Sequence, residues 1–270
     1  MSKTISCTYR RWYRRIGLSV VLLVVLVAVN RRAFGQSCPK PSYPTATAAP
    51  IDSTSCSVEG NGGAETAQNE AKNNFCAAGP KPITILEMVS LQKQVQDDKS
   101  IPFGNPDQHP LTNSAGPAEN RKPLQALGEG SEVVLTGFVK ISRQEGAESV
   151  NCGSHVPKED AYHDIHISIV AKPAASECTG VVVEMIPHHR PNSWTADLVN
   201  AVKTAKLPVR VTGQLMFDSS HSPCVAGKPV SGDPLRASLW EVHPIYKFEV
   251  CTSGDCGSGS GWVPIEEWKK

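Results

Sequence analysis

From Glu132 onward the chain breaks into short runs whose apolar residues fall on alternate positions or cluster in β-branched and aromatic blocks, separated by polar loops. Five such runs predict strands: 132–144 (EVVLTGFVKISRQ), 163–170 (HDIHISIV), 180–187 (GVVVEMIP), 208–218 (PVRVTGQLMFD) and 236–250 (RASLWEVHPIYKFEV). Gly137 in the first run predicts a bulge or sharp bend, and Pro244 a bend or a break in pairing in the last. One stretch between the third and fourth runs has helical spacing instead. In Ser193 to Lys206, the residues Trp194, Leu198, Val199, Val202 and Ala205 form one stripe, with Ser193 as the expected cap and Pro208 as the stop. Upstream, Ile83 to Asp98 repeats its apolar residues as an amphipathic helix does, between Pro82 and Ile101-Pro102.

The N-terminal third has a different texture. Residues 1–15 carry Lys3, Arg10, Arg11, Arg14 and Arg15 and no acid, and Ile16 to Val29 is almost wholly apolar. A run this short falls below the ~20 residues of a membrane span, and Ala33-Phe34-Gly35 supplies a small-x-small cleavage signal. Arg31 and Arg32, directly after the run, suit an uncleaved anchor instead. Residues 1–35 are therefore expected to be a signal peptide or an N-terminal membrane anchor, with the chain beyond exported to the periplasm or the exterior and, if the segment is uncleaved, held at the cytoplasmic membrane through residues 16–29. Residues 36–79 are rich in Pro, Ser, Thr, Ala, Gly and Asn and are expected to form a low-complexity, disordered tether that cannot fold alone, stapled by Cys56 and Cys76. Residues 80–128 add the short helix and a Pro-rich crossing segment, 129–256 the strand-rich domain, and 257–270 a Gly-rich tail ending in WVPIEEWKK that docks on the domain or a partner. Cysteine usage agrees with export: apart from Cys7 in the basic segment there are eight, an even number with no C-x-x-C pair, which predicts disulfides rather than a redox or zinc-ribbon motif.

Strand, strand, strand, helix, strand, strand in about 120 residues, with a glycine-bent first strand, resembles the OB-fold, a five-stranded Greek-key barrel. The expected fold is mostly β, with one helix between strands three and four. The words DIHISIV and RASLWEVHPIYKFEV also resemble a group of exported bacterial proteins of unassigned function, over roughly residues 80–256. The OB-fold order 1-2-3-5-4 implies that strands two, three and five are neighbours. Alternation then sends the isoleucines of strand two into the barrel and puts Asp164, His166, Glu184, Glu241 and His243 together on the sheet face that OB-folds use for ligands.

Those five residues are the candidate ligand-binding set. Imidazoles among carboxylates are also suitable chemistry for zinc or another divalent ion, with His166, His243 and Glu184 as ligands and His163, His188 and His189 as possible additions. The competing expectation is a half-exposed sheet surface of cross-strand hydrogen bonds. The same implied directions pair Cys178 with Cys224, and Cys152 with Cys251 or Cys256. Residues 131–252 contain 11 Lys and Arg against 13 Asp and Glu, a net charge of 11 − 13 = −2, which disfavours nucleic acid. The expected function is thus a non-enzymatic, disulfide-stabilised binding or interaction module of the cell envelope, with a glycan, peptide or protein partner and no cofactor. The alternative is a metal-dependent hydrolase acting through the His and carboxylate cluster. No G-x-S-x-G motif is present, and Asp218 and His221 read as loop or cap residues.

Overall fold

The structure is a computed structural model that describes residues 56–57, 59–62, 66–73, 77–98, 101, 121–155, 158, 160–227, 232–253, 255–257 and 259–269. The apolar run at 16–29 lies outside them. No helix among the described residues is long and apolar enough to cross a membrane. In chain order the elements are α1 (Thr66–Lys72), β1 (Lys81–Ile83), α2 (Ile85–Asp97), α3 (Lys122–Ala126), β2 (Glu132–Gln144), β3 (Ile165–Val170), β4 (Val181–Met185), α4 (Ala196–Ala205), β5 (Pro208–Phe217), β6 (Trp240–Cys251) and β7 (Trp262–Pro264).

Five of the strands close a barrel. β2 pairs with β3, β3 with β4, β4 with β6 and β6 with β5, and β5 returns to β2. In order of the five expected strands this is 1-2-3-5-4, with the third and fifth parallel and every other pair antiparallel. Closure depends on β2 serving two neighbours: residues 132–138 pair with β5 and residues 138–144 with β3, so Phe138 faces both Val170 and Pro208. The strand must bend where it changes partner, and Gly137 sits there because a Cβ would lie 2.5 Å from Ile169 Cγ2 and 2.8 Å from the Val170 carbonyl oxygen. Pro244 removes one donor from the ladder, and the β5–β6 register shifts opposite it, around Gly213.

Ile165, Ile167 and Ile169 point into the barrel, as expected, against Val183, Val211, Phe217, Trp240, Val242 and Phe248. All nine are fully buried, each contributing about 1.5–3 kcal/mol relative to exposure. Both expected helices form, with shifted ends. Thr84 caps α2 in a reciprocal box with Glu87. Thr195, not Ser193, caps α4, accepting from the Leu198 amide, because Trp194 is drawn into the core ahead of the helix. Asn200 of α4 reaches β2 beyond its register shift, accepting from the Ser142 amide and donating to the Ser142 carbonyl. The C-terminal tail docks on the domain: β7 pairs with β6, Ile265 is fully buried, and Trp194 Nε1 donates to Glu266.

Three disulfides join described residues, consistent with an oxidising compartment. Cys178–Cys224 is the expected pair. The other expected pairing is corrected: Cys152 bonds to Cys56, and Cys251 bonds to Cys256. The loop after β2 does not run along the barrel end toward the end of β6. It folds over the sheet, where the segment 56–62 meets it, Asn61 donating its amide to the Ser149 carbonyl. The Cys56–Cys152 bond rules out a staple between Cys56 and Cys76, the latter lying outside the described residues.

Candidate functional site

On the outer side of the barrel, strand alternation collects ionisable groups as the pattern requires. His166 on β3 is the register partner of Glu184 on β4. β4 runs parallel to β6 with Val183 level with Val242, which brings Glu241 and His243 beside Glu184. Glu184 Oε2 lies 2.8 Å from His243 Nδ1 and 3.3 Å from His166 Nε2, so one carboxylate stands between two imidazoles. All five residues expected at the face are therefore brought together.

The expectation of a half-exposed or ligand-accessible surface is overturned. Asp164, Glu184, Glu241 and His243 have no solvent exposure and His166 has 1%. The reason lies in the segment read as a tether. It buries nothing large by itself, but α1 lies over this face, with Gln68 donating to Asp218 and accepting from the amide and hydroxyl of Ser219, and Gln214 of β5 donating to the Ala71 carbonyl. The 3₁₀ turn Ser149–Asn151 closes the other side, held by Asn73 donating to the Val150 carbonyl and by the Cys56–Cys152 bond.

The cover adds charge that the strand pattern does not reveal. Lys72 Nζ sits 2.7 Å from Asp218 Oδ2, Glu148 Oε1 sits 3.5 Å from His166 Nε2, and Arg236 donates to Glu241. Asp218 has a signal in the sequence, since it continues the outward parity of Gln214 and Met216 along β5. Lys72 and Glu148 lie outside the expected strands and have none, and Arg236 heads the fifth expected run but precedes the strand itself, which begins at Trp240. His163, His188 and His189 belong to none of the sets of potential ligands found among the described residues. Arg190 is buried as well, but its guanidinium donates to the carbonyls of His163 and Asp160.

Mutual electrostatics set the protonation states. Burial disfavours the charged form of Glu184, yet His166, His243 and Lys72 together hold it well below the usual carboxylate range. Burial likewise opposes the Lys72 ammonium and the His166 imidazolium, and the surrounding carboxylates overcome it in both cases. For His243 too burial opposes the charge, and the charge of Glu184 together with hydrogen bonding to Glu184 and Glu241 overcomes it, leaving the imidazole at about 9. Asp164 goes the other way, pushed up to about 8 by burial and then by the negative charge of Glu148. Glu241 is pushed up to about 7 by burial and by Glu184.

Hydrogen bonding is incomplete. Among the described residues there is no hydrogen-bond partner for either oxygen of Asp164, for Oε1 of Glu184, for Oε2 of Glu241 or for Nε2 of His243, whereas Oε2 of Glu184 is engaged by His243 and His166. Buried polar atoms are normally satisfied, so this concentration of exceptions needs a cause. Potential ligand atoms of Asp164, Glu184 and His243 all lie within 4.8 Å of one another, as do those of Glu148, Asp164 and His166, and those of Glu184, Asp218 and Glu241. Of the expected metal trio, Glu184 stands between His166 and His243, while the closest groupings of ligand atoms put Asp164 with Glu184 and His243, and His166 with Glu148 and Asp164. Comparison with protein-family models, curated proteins and solved structures finds no match to this chain.

Proposed function

We propose that this protein is an exported, disulfide-stapled OB-like module, without catalytic activity, that binds one divalent metal ion through Asp164, Glu184 and His243. The observation that carries this reading is the buried set of two carboxylates and an imidazole in which both oxygens of Asp164 and Oε1 of Glu184 lack hydrogen-bond partners. Leaving buried polar oxygens unsatisfied is expensive, and a cation that displaces the protons of Asp164 and His243 accepts lone pairs from all three residues at once. A mixed nitrogen and oxygen set suits zinc or a similar borderline ion. His166 and Glu148, against the same cluster, would orient the ligands from a second layer.

The burial of the cluster argues for a structural ion over a hydrolytic one, since a catalytic metal must present an open position to substrate. It also moves any glycan, peptide or protein partner in the cell envelope to other surfaces of the module. The three disulfides support a periplasmic or extracellular location.

The test is metal analysis and calorimetric titration of the purified exported chain with Zn²⁺, Mn²⁺ and Ca²⁺, alongside Asp164→Asn. One equivalent bound by the native chain, and at least a tenfold loss of affinity in the variant, is the expected result. A native chain that takes up none of the three ions overturns the proposal.

A further inference from the structure

A second feature of the cluster concerns its other end. Oxygens of Glu184, Asp218 and Glu241 come within 4.8 Å of one another, and all three residues have no solvent exposure. Three carboxylates at that separation repel strongly in a buried setting. Arg236 engages one oxygen of Glu241, and the other, with Oε1 of Glu184, has no hydrogen-bond partner among the described residues. Glu184 is compensated by His166 and His243, and Asp218 by Lys72, a residue only 6% exposed whose ammonium lies 2.7 Å away.

How Lys72 reaches that place is informative. The buried residues of α1 are Ala67, Gln68, Asn69 and Lys72, with no large apolar side chain among them. Apolar packing therefore contributes little to its docking. Gln68 and Lys72, four residues apart on one helical face, both address Asp218, one at each carboxylate oxygen. The helix is positioned to deliver a cation.

We infer that Lys72 is a tethered cation that occupies, from its Asp218 side, a second metal position built from Glu184, Asp218 and Glu241, and that it thereby limits the cluster to a single divalent ion. This rests on the single-ion reading above and adds a determinant of stoichiometry to it. The blocked position is all oxygen, so it suits a hard ion such as Ca²⁺ or Mn²⁺ rather than zinc. An ammonium carries one charge where a divalent ion carries two, and it leaves with α1 rather than by exchange.

The experiment is Mn²⁺ and Ca²⁺ titration of the native chain, Lys72→Gln and Lys72→Arg, with stoichiometry read by calorimetry and by Mn²⁺ spin resonance. The glutamine variant is expected to bind one more ion than the native chain, the arginine variant the same number, and Asp218→Asn in the glutamine background should abolish the additional ion. A Lys72→Gln chain with unchanged stoichiometry overturns the inference, whatever the native chain binds. A native chain that binds nothing overturns the single-ion reading alone. If Lys72→Gln unfolds in chelator, Ca²⁺ or Mn²⁺ must restore its circular dichroism, and failure to do so counts against the inference equally.

Discussion

Glu184 and His243, on adjacent parallel strands, are joined at 2.8 Å between Oε2 and Nδ1 with neither side chain exposed. Because His166 approaches the same oxygen at 3.3 Å, the Glu184 charge holds two imidazoliums in the interior. Removing one partner of a buried ion pair typically costs about 3–5 kcal/mol, since the other charge is left uncompensated. Glu184→Gln keeps the shape and removes the charge. It is expected to lose stability of that order in urea unfolding and to lower the pKa of both histidines by NMR. Near-native stability with unshifted histidine titrations would show that another group carries the compensation.

The cover over the cluster should depend on one disulfide more than on the others. Cys56–Cys152 closes a separation of 96 residues and Cys251–Cys256 one of 5. In the chain-entropy model the longer loop stabilises more, within a usual range of about 2–5 kcal/mol. The double change Cys56→Ser with Cys152→Ser should therefore destabilise more than Cys251→Ser with Cys256→Ser. It should also raise amide exchange in Ala67–Lys72 selectively. Peptide mapping without reduction checks the three pairings directly.

Barrel closure has its own sensitive point. A Cβ at Gly137 meets Ile169 and the Val170 backbone, and one at Gly213 meets Val242 Cγ1 at 2.6 Å together with the Pro244 carbonyl. Backbone cannot yield as a flexible side chain can. Gly137→Ala and Gly213→Ala are each expected to lower stability by about 1–3 kcal/mol through overpacking, measured by the denaturant midpoint, whereas Gly146→Ala, which meets no atom within 4 Å, should be near neutral.

Stability of the metal-free protein should fall between pH 7 and pH 9. Asp164, ordinarily 3.8, holds its proton to about 8 in the fold, and Glu241, ordinarily 4.5, to about 7. His243, ordinarily 6.5, holds its proton to about 9, and His166 is also raised well above 6.5. In each case the folded state binds a proton that the unfolded state has released, so stability declines as pH rises through the folded pKa, by at most about 1.4 kcal/mol per pH unit for each proton. Glu148, Glu184 and Asp218 are lowered, so their contribution is complete above their ordinary range and is lost only on acidification. Lys72, raised above 10.5, stays charged in both states across this interval. Urea midpoints in chelator at the two pH values check the slope, and a midpoint that rises toward pH 9 contradicts the protonation pattern.

Local pattern carried the barrel. Ile165, Ile167 and Ile169 could satisfy alternate burial only in a strand with one face inward, and the same parity, read separately on each strand, assigned His166, Glu184, Glu241 and His243 to the opposite face. Gly137 marked the bend because a tight approach of backbone leaves a local trace in composition. What parity could not say is whether that opposite face meets water. Its burial comes from Gln68 and Lys72, carried nearly a hundred residues upstream in a segment with no apolar periodicity, and from Cys56 reaching Cys152 across the same face. Polar docking of this kind has no period, because hydrogen bonds and ion pairs depend on the position of a partner and not on repeated burial along one element. The sequence therefore determined the strands and the outward face on which most of the cluster lies, while the order of the strands was what the OB-fold resemblance implied. Only the tertiary structure decided that the cluster is interior, that Lys72, Glu148 and Arg236 join it, and that its charges must be balanced without solvent.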